Sequence, residues 1–260
     1  MAGRTAALAA WYEQHGRHAL PWRATRDRWS VLVSEVMLHQ TQAPRVEAVY
    51  PAFLAEFPTA AAMAAAAPGD VIQAWGRLGY PRRARRLWEA ARRIADAGWP
   101  TDLRELPGVG RYTAAAVRAQ ADDADVPAVD LNVRRVVERV EGRRLTIGEA
   151  EAAMVRAGGP LRGRDRLLAL MDVGASVCRP AAPRCPACPL RRRCAARGPL
   201  VAEHRAAPAP YEGSFRQRRG AVLARLRDGP TPAALLDAAA LTSLRRDGLA
   251  VLDGATARLP

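Results

Sequence analysis

Lysine is absent from this chain, whose 40 basic residues are all arginine. That closes one branch of covalent chemistry, because no side chain can condense with a carbonyl to form a Schiff base. Asparagine is nearly missing as well, with Asn132 the single example. The surplus of Arg, Ala, Gly and Pro that accompanies these gaps fits a GC-rich coding bias. Cysteine is confined to Cys178, Cys185, Cys188 and Cys194, all in one Pro- and Arg-rich stretch. Long apolar runs are lacking too: the stretch from Ala60 to Ala67 ends well short of the ~18 residues a membrane span requires, so no membrane association is expected. No apolar leader opens the sequence, which predicts a reducing cytoplasmic setting and argues against disulfides.

What is present is positive charge and enough apolar mass for a core. The formal net charge is +14 with a sequence pI near 11.1, a field that attracts a polyanion such as nucleic acid. At 260 residues and 49% hydrophobic, the chain can form one large domain or two small ones. Helical periodicity dominates and strand alternation is scarce, so the fold class is all-α. Helices are expected near 4–15, 29–40, 43–56, 59–65, 68–75, 80–97, 110–122, 131–140, 149–156 and 164–177. Breakers such as Leu20-Pro21, Trp99-Pro100 and Gly158-Gly159-Pro160 give short connections between them.

A Pro-containing linker over 198–212 separates a last segment, 213–260. Its pattern reads as helices over 217–227, 231–238 and 241–247, followed by a hairpin turning at Asp253-Gly254. Three helices and a hairpin suggest a small winged-helix-like module. Such a module reads DNA or serves only for packing and partner binding.

The cysteine gaps are six, two and five residues. A zinc ribbon prefers two Cys-x2-Cys knuckles, whereas one tight pair with two wider arms suits a larger centre, so one four-iron, four-sulfur cluster is favoured over zinc. The densest motif is Leu106-Pro-Gly-Val-Gly-Arg-Tyr-Thr-Ala-Ala-Ala-Val117. Its Gly108 and Gly110 permit a tight turn that presents backbone amides at a helix start, a phosphate-binding geometry. An ordinary helix connection would also use a Pro-Gly turn.

Taken with Leu20-Pro-Trp-Arg23, Ser34-Glu-Val-Met-Leu-His-Gln-Thr41, Trp75-Gly-Arg-Leu-Gly-Tyr80 and Val129-Asp-Leu-Asn-Val133, these motifs run collinearly over residues 10 to 196. The chain resembles the helix-hairpin-helix DNA glycosylases that carry an iron–sulfur cluster, and among them the adenine DNA glycosylases of the MutY type. The resemblance implies a cluster subdomain over 1–24 and 131–197 and a helical barrel with the hairpin over 25–130. It implies a nucleoid-associated monomer that acts in base excision repair on double-stranded DNA with mismatched or oxidised base pairs. The activity implied is hydrolytic removal of adenine opposite 8-oxoguanine or guanine. A thymine or uracil mismatch glycosylase of the same fold and a non-catalytic cluster protein that binds DNA are the alternatives.

Breaking an N-glycosidic bond through a cation-like sugar calls for a proton donor at the base and an anion near the sugar. Glu35, in an otherwise apolar helix, suits the donor, since burial would keep it protonated. Asp130 suits the anion, although it also reads as a plain helix N-cap. By the resemblance, Tyr112 stands where bifunctional endonuclease III has its Schiff-base lysine. A phenol there can only hydrogen-bond, with Asp130 or the backbone near the lesion as its expected partner. Asn132 is implied to brace the active-site backbone. The implied wedge and DNA contacts are Gln40, Thr41, Tyr80, Leu106, Gly108, Val109 and Gly110, with Trp22, Arg23 and Leu38 lining the base pocket. The runs Arg82–Arg86 and Arg191–Arg193 are read as phosphate contacts. His39 and Leu131 depart from the family's usual residues. The short C-terminus is expected to lack the Nudix-like domain of longer relatives.

Overall fold

The computed structural model describes residues 6–200 and 210–260. In chain order the helices are α1 Ala6–His15, α2 Arg28–Leu38, α3 Ala43–Glu47, α4 Tyr50–Glu56, α5 Ala60–Ala65, α6 Pro68–Trp75 and α7 Arg82–Ala97. They continue with α8 Arg111–Ala121, α9 Leu131–Glu141, α10 Ile147–Gly158, α11 Gly163–Asp172, α12 Phe215–Asp228 and α13 Ala238–Arg246. The strands are β1 Thr231–Pro232, β2 Val251–Asp253 and β3 Thr256–Arg258. Residues 4–5 of the expected first helix and most of the expected linker lie outside the described residues.

The expected helices form close to their predicted bounds, with three instructive differences. The helix expected over 43–56 is two, because Pro51 in the first turn of α4 has no N–H to continue the ladder. The stretch over 164–177 turns from α11 into a π-helical turn, Val173–Val177. Residues 231–238, expected as a helix, form β1 and a short 3-10 turn; Thr231 and Pro232 pair antiparallel with Ala257 and Thr256. The hairpin at Asp253-Gly254 forms as expected and completes a sheet of order β1-β3-β2.

The chain divides into two units, one comprising residues 6–35 and 110–200, the other 36–109 and 210–260. This division differs from the expected bounds: it cuts α2 after Glu35 and the hairpin loop after Val109, and the 213–260 module falls in a unit with α3–α7. The first unit is built on apolar faces of α1 and α8–α11, with Ala116, Val133, Val137, Met154, Leu167 and Leu170 fully buried. Two caps begin its key helices. Asp130 caps α9 by accepting from Val133 N–H, and Thr146 with Glu149 forms a capping box on α10.

The second unit packs α5 and α6 against α7 through Met63, Val71, Ile72, Trp75, Leu87 and Ile94. Its C-terminal part, with Leu223, Leu226, Leu244 and Ala257 buried, is seated on α6 and α7. Gly69 N–H donates to the Pro260 carbonyl at 2.8 Å, Arg85 to the Gly248 carbonyl at 2.6 Å, and Gln73 to the Arg227 carbonyl at 3.3 Å.

Candidate active site

Glu35 lies in α2 between Ser34 and Val36, and its side chain is 3% exposed. Two donors converge on its carboxyl group: Gln120 Nε2 reaches Oε1 at 2.6 Å, and the Tyr112 hydroxyl donates to it. Burial pushes Glu35 above the usual carboxylate range, and Asp130 adds to that push, while Gln120, Tyr112 and Arg23 oppose it. The group is thus biased toward the protonated form that an acid requires. Burial, with Glu35 and Asp130 nearby, also holds the Tyr112 phenol well above its ordinary value. The phenol is a permanent donor, and its partner is Glu35 rather than Asp130 or the backbone. The reason is the helix: α8 starts at Arg111, so Tyr112 in its first turn and Gln120 in its last present to the same carboxyl group.

Asp130 is half-buried at the start of α9. One oxygen accepts from Val133 N–H at 2.6 Å and the other from Asn132 Nδ2 at 2.9 Å. Burial raises its carboxyl above the ordinary value, and these hydrogen bonds together with the Arg135 charge pull it back. The N-cap bond also fixes the direction of this carboxyl group.

Asn132 is held in turn by Arg135, which donates to its Oδ1 at 2.9 Å and to the Gly174 and Cys178 carbonyls, each at 2.7 Å. Gly174 lies so close that a Cβ there would sit 2.7 Å from the Asn132 Cβ. Leu131, next to Asp130, is 60% exposed.

Arg23 is bound on both terminal nitrogens by Asp172, at 2.6 and 2.8 Å, and Arg17 binds the same carboxylate at 2.6 Å. Burial alone would raise Asp172; the Arg23 hydrogen bonds and the charges of Arg23 and Arg17 hold it below its ordinary value. Leaving one such buried charge unpaired costs about 3–5 kcal/mol, so this pair fixes the arginine. Among the described residues, Arg23 Nε is buried without a hydrogen-bond partner. Trp22, beside it, is 4% exposed.

The other predicted residues belong to the second unit or to the hairpin. Leu38, the last residue of α2, is half-buried. Gln40 and Tyr80 both adopt left-handed backbone, at φ 56° and φ 49°, a conformation side chains pay for and that collects at functional positions. Gln40 is exposed and Tyr80 is 52% exposed.

Arg83 ties their loops together. Its Nη1 donates to the carbonyls of Val36, Met37 and His39 at 2.8, 3.0 and 2.5 Å, and its Nη2 to Thr41 Oγ1 and the Gly79 carbonyl at 2.9 and 3.1 Å. Its guanidinium also lies 5.2 Å from the centre of the Tyr80 ring. Burial drops its pKa to about 10. Arg83 therefore closes the end of α2 and is not a phosphate contact as the sequence suggested; Arg85, bonded to Glu89 and Gly248, is not free for one either.

In the hairpin, Leu106 and Val109 are buried at 2% and 7% exposure, so their side chains anchor the turn and only the backbone is presented. Gly108 has φ 80°, and a Cβ there would come within 3.0 Å of Arg86. Gly110 is the N-cap of α8 and makes no side-chain cap hydrogen bond, so the helix start presents backbone rather than a capping side chain.

All four cysteines line one cavity, together with Arg139 and Arg197. Among the described residues no three His, Cys, Asp or Glu side chains converge closely enough for a single metal ion. The four sulfurs around this hollow are the residues that could hold a metal centre. Arg139, 1% exposed, donates to the Arg179 and Pro180 carbonyls at 2.8 Å each and to Cys178 Sγ at 3.4 Å. Ala195 N–H and Ala196 N–H return to the Val140 and Arg139 carbonyls, fastening the Cys194 end to α9. Burial pushes the Cys178 thiol up and the Cys188 thiol up to about 11, so a nearby cation would favour the thiolate form of these two.

Residues 33–155 match the HhH-GPD superfamily of base excision DNA repair proteins. The chain is 44% identical to the adenine DNA glycosylase of Mycolicibacterium smegmatis over 242 residues, which cover 86% of this chain and 80% of that protein. The human adenine DNA glycosylase is 36% identical over 228 residues, covering 80% of this chain and 42% of the human one. Among solved structures, a thermostable thymine-DNA glycosylase superposes with a TM-score of 0.66 at 28% identity, over 74% of this chain and 94% of that one. An endonuclease III–DNA complex, at 23% identity and a TM-score of 0.63, shares the fold. The chain thus belongs to the adenine DNA glycosylase family of the HhH-GPD superfamily and is a DNA glycosylase of base excision repair.

Proposed function

We propose that this protein, acting as a monomer on duplex DNA, hydrolyses the N-glycosidic bond of adenine mispaired with 8-oxoguanine or guanine. The observation that carries the reading is a pair of carboxyl groups, both raised by burial, of which Asp130 has a backbone donor, an amide donor and the Arg135 charge opposing that rise. Glu35 is buried and biased toward its acid form, and Asp130 is held by a cap bond and an amide. In the reaction Glu35 protonates the departing base and Asp130 stabilises positive charge developing on the sugar. Tyr112 and Asn132 orient these two groups. Gln40, Thr41 and Tyr80 take the space of the extruded base, Trp22, Arg23 and Leu38 face the extruded adenine, and the hairpin amides hold a phosphate.

With no lysine side chain to form a Schiff base, the product is an abasic site in an uncut strand. The test is single-turnover excision from an adenine–8-oxoguanine duplex: base loss should occur, with strand breaks appearing only after alkali. Strand cleavage without alkali, or a borohydride-trapped adduct, contradicts hydrolysis.

Cys178, Cys185, Cys188 and Cys194 would hold one four-iron, four-sulfur cluster, which supplies a rigid frame for the Arg-rich loop rather than bond chemistry. The purified protein should be brown, with thiolate-to-iron absorbance in the visible and about four iron atoms per chain. Colourless protein with one zinc contradicts this.

A further inference from the structure

Gln120 has no place in the reaction as described so far, yet it is 1% exposed and its amide is directed at the carboxyl group of Glu35, at 2.6 Å. Its backbone is equally fixed, since its carbonyl accepts from Arg164 at 2.6 Å. A buried amide in an alanine-rich helix is costly unless paired, and the hydrogen bond it makes is to Glu35. A protonated carboxyl group has one oxygen that only accepts and one that carries the proton. An N–H donor fixed on Oε1 makes that oxygen the acceptor.

We propose that Gln120 is a positioning residue for the acid, holding Glu35 so that Oε2 carries the transferable proton. The proposal rests on the reading of Glu35 as general acid. The charged and titratable groups facing Glu35 are Tyr112 from α8, Asp130 from the start of α9, and Arg23 from the turn before α2. Gln120 differs from all three in being neutral at every pH. It therefore biases the proton away from Oε1 without itself titrating, alongside the hydroxyl that Tyr112 donates to the same group. As a donor it also favours the charged carboxylate, so its removal makes Glu35 harder to ionise.

The test is the pH profile of single-turnover adenine excision by the full-length protein carrying Gln120→Met, a near-isosteric change without a donor. Because the acid works only when protonated, excision falls as pH rises through the Glu35 pKa. The variant should lose about tenfold in plateau rate, and its alkaline limb should move up by about one pH unit. Duplex affinity should stay unchanged. Gln120→Asn, polar but one methylene too short to reach Oε1, should behave in the same way and stands in if the Met variant does not fold. A lower rate with an unmoved limb in a variant that binds DNA normally would show that Gln120 only packs, and overturns the proposal. Glu35→Gln separates the two readings: if that variant excises adenine at a normal rate, the assignment of Glu35 fails, whereas if it is inactive while the Gln120 limb stays put, only the Gln120 proposal fails.

Discussion

Glu35→Gln should reduce single-turnover adenine excision by about 100- to 10,000-fold, the range a positioned general acid contributes, with duplex affinity nearly unchanged. The substitution conserves volume and can still accept from Gln120 at its amide oxygen. Only the transferable proton is lost. Burial of Glu35 at 3% exposure matters to this expectation, because it is what biases the group toward its protonated form. The check is excision with enzyme in excess over labelled duplex, alongside binding measured on the same preparation. A variant that retains even a tenth of the normal rate would show that another group protonates the base.

Asp130→Asn should cost about 100- to 1,000-fold, as does removal of one preorganised electrostatic contact to a transition state. Asparagine is as good an N-cap as aspartate, so the bond from Val133 N–H and the start of α9 survive the change. That separates the two roles the residue combines. If Asp130 were only a cap, the asparagine variant would excise adenine normally. If it is the anion beside the sugar, the fold, the colour and the DNA affinity remain while excision is lost. Thermal unfolding within a few degrees of the parent would confirm that the cap is intact.

The helices that carry these groups were legible in the sequence because each announces itself locally. Glu35 interrupts an apolar run, Gly108 and Gly110 punctuate the hairpin, and Asp130 precedes a periodic stretch at the spacing of a cap. The supporting groups were not legible, because their signals are tertiary. Gln120 lies 85 positions from the carboxyl group it meets, and Asp172 lies 155 positions from Arg17 and 149 from Arg23. Nothing around them distinguishes a buried amide or carboxylate from a solvated one.

Arg83 was misread for a related reason. In a run of arginines each looks like a phosphate contact, and only the folded chain shows that one of them turns inward to close the end of α2. At Thr231–Pro232 a helical pattern lost to a strand because β3 supplies a pairing edge that no local window contains.

The most direct measurement of the central claim is single-turnover excision on four duplexes that differ only at one pair: adenine opposite 8-oxoguanine, adenine opposite guanine, thymine opposite guanine and uracil opposite guanine, each followed by alkali to reveal abasic sites. The account predicts alkali-dependent cleavage of the two adenine duplexes and none of the pyrimidine ones. Cleavage confined to the thymine or uracil duplexes would assign the fold to mismatch pyrimidine excision, and absence of cleavage on all four by folded, cluster-loaded protein would contradict the catalytic reading of Glu35 and Asp130.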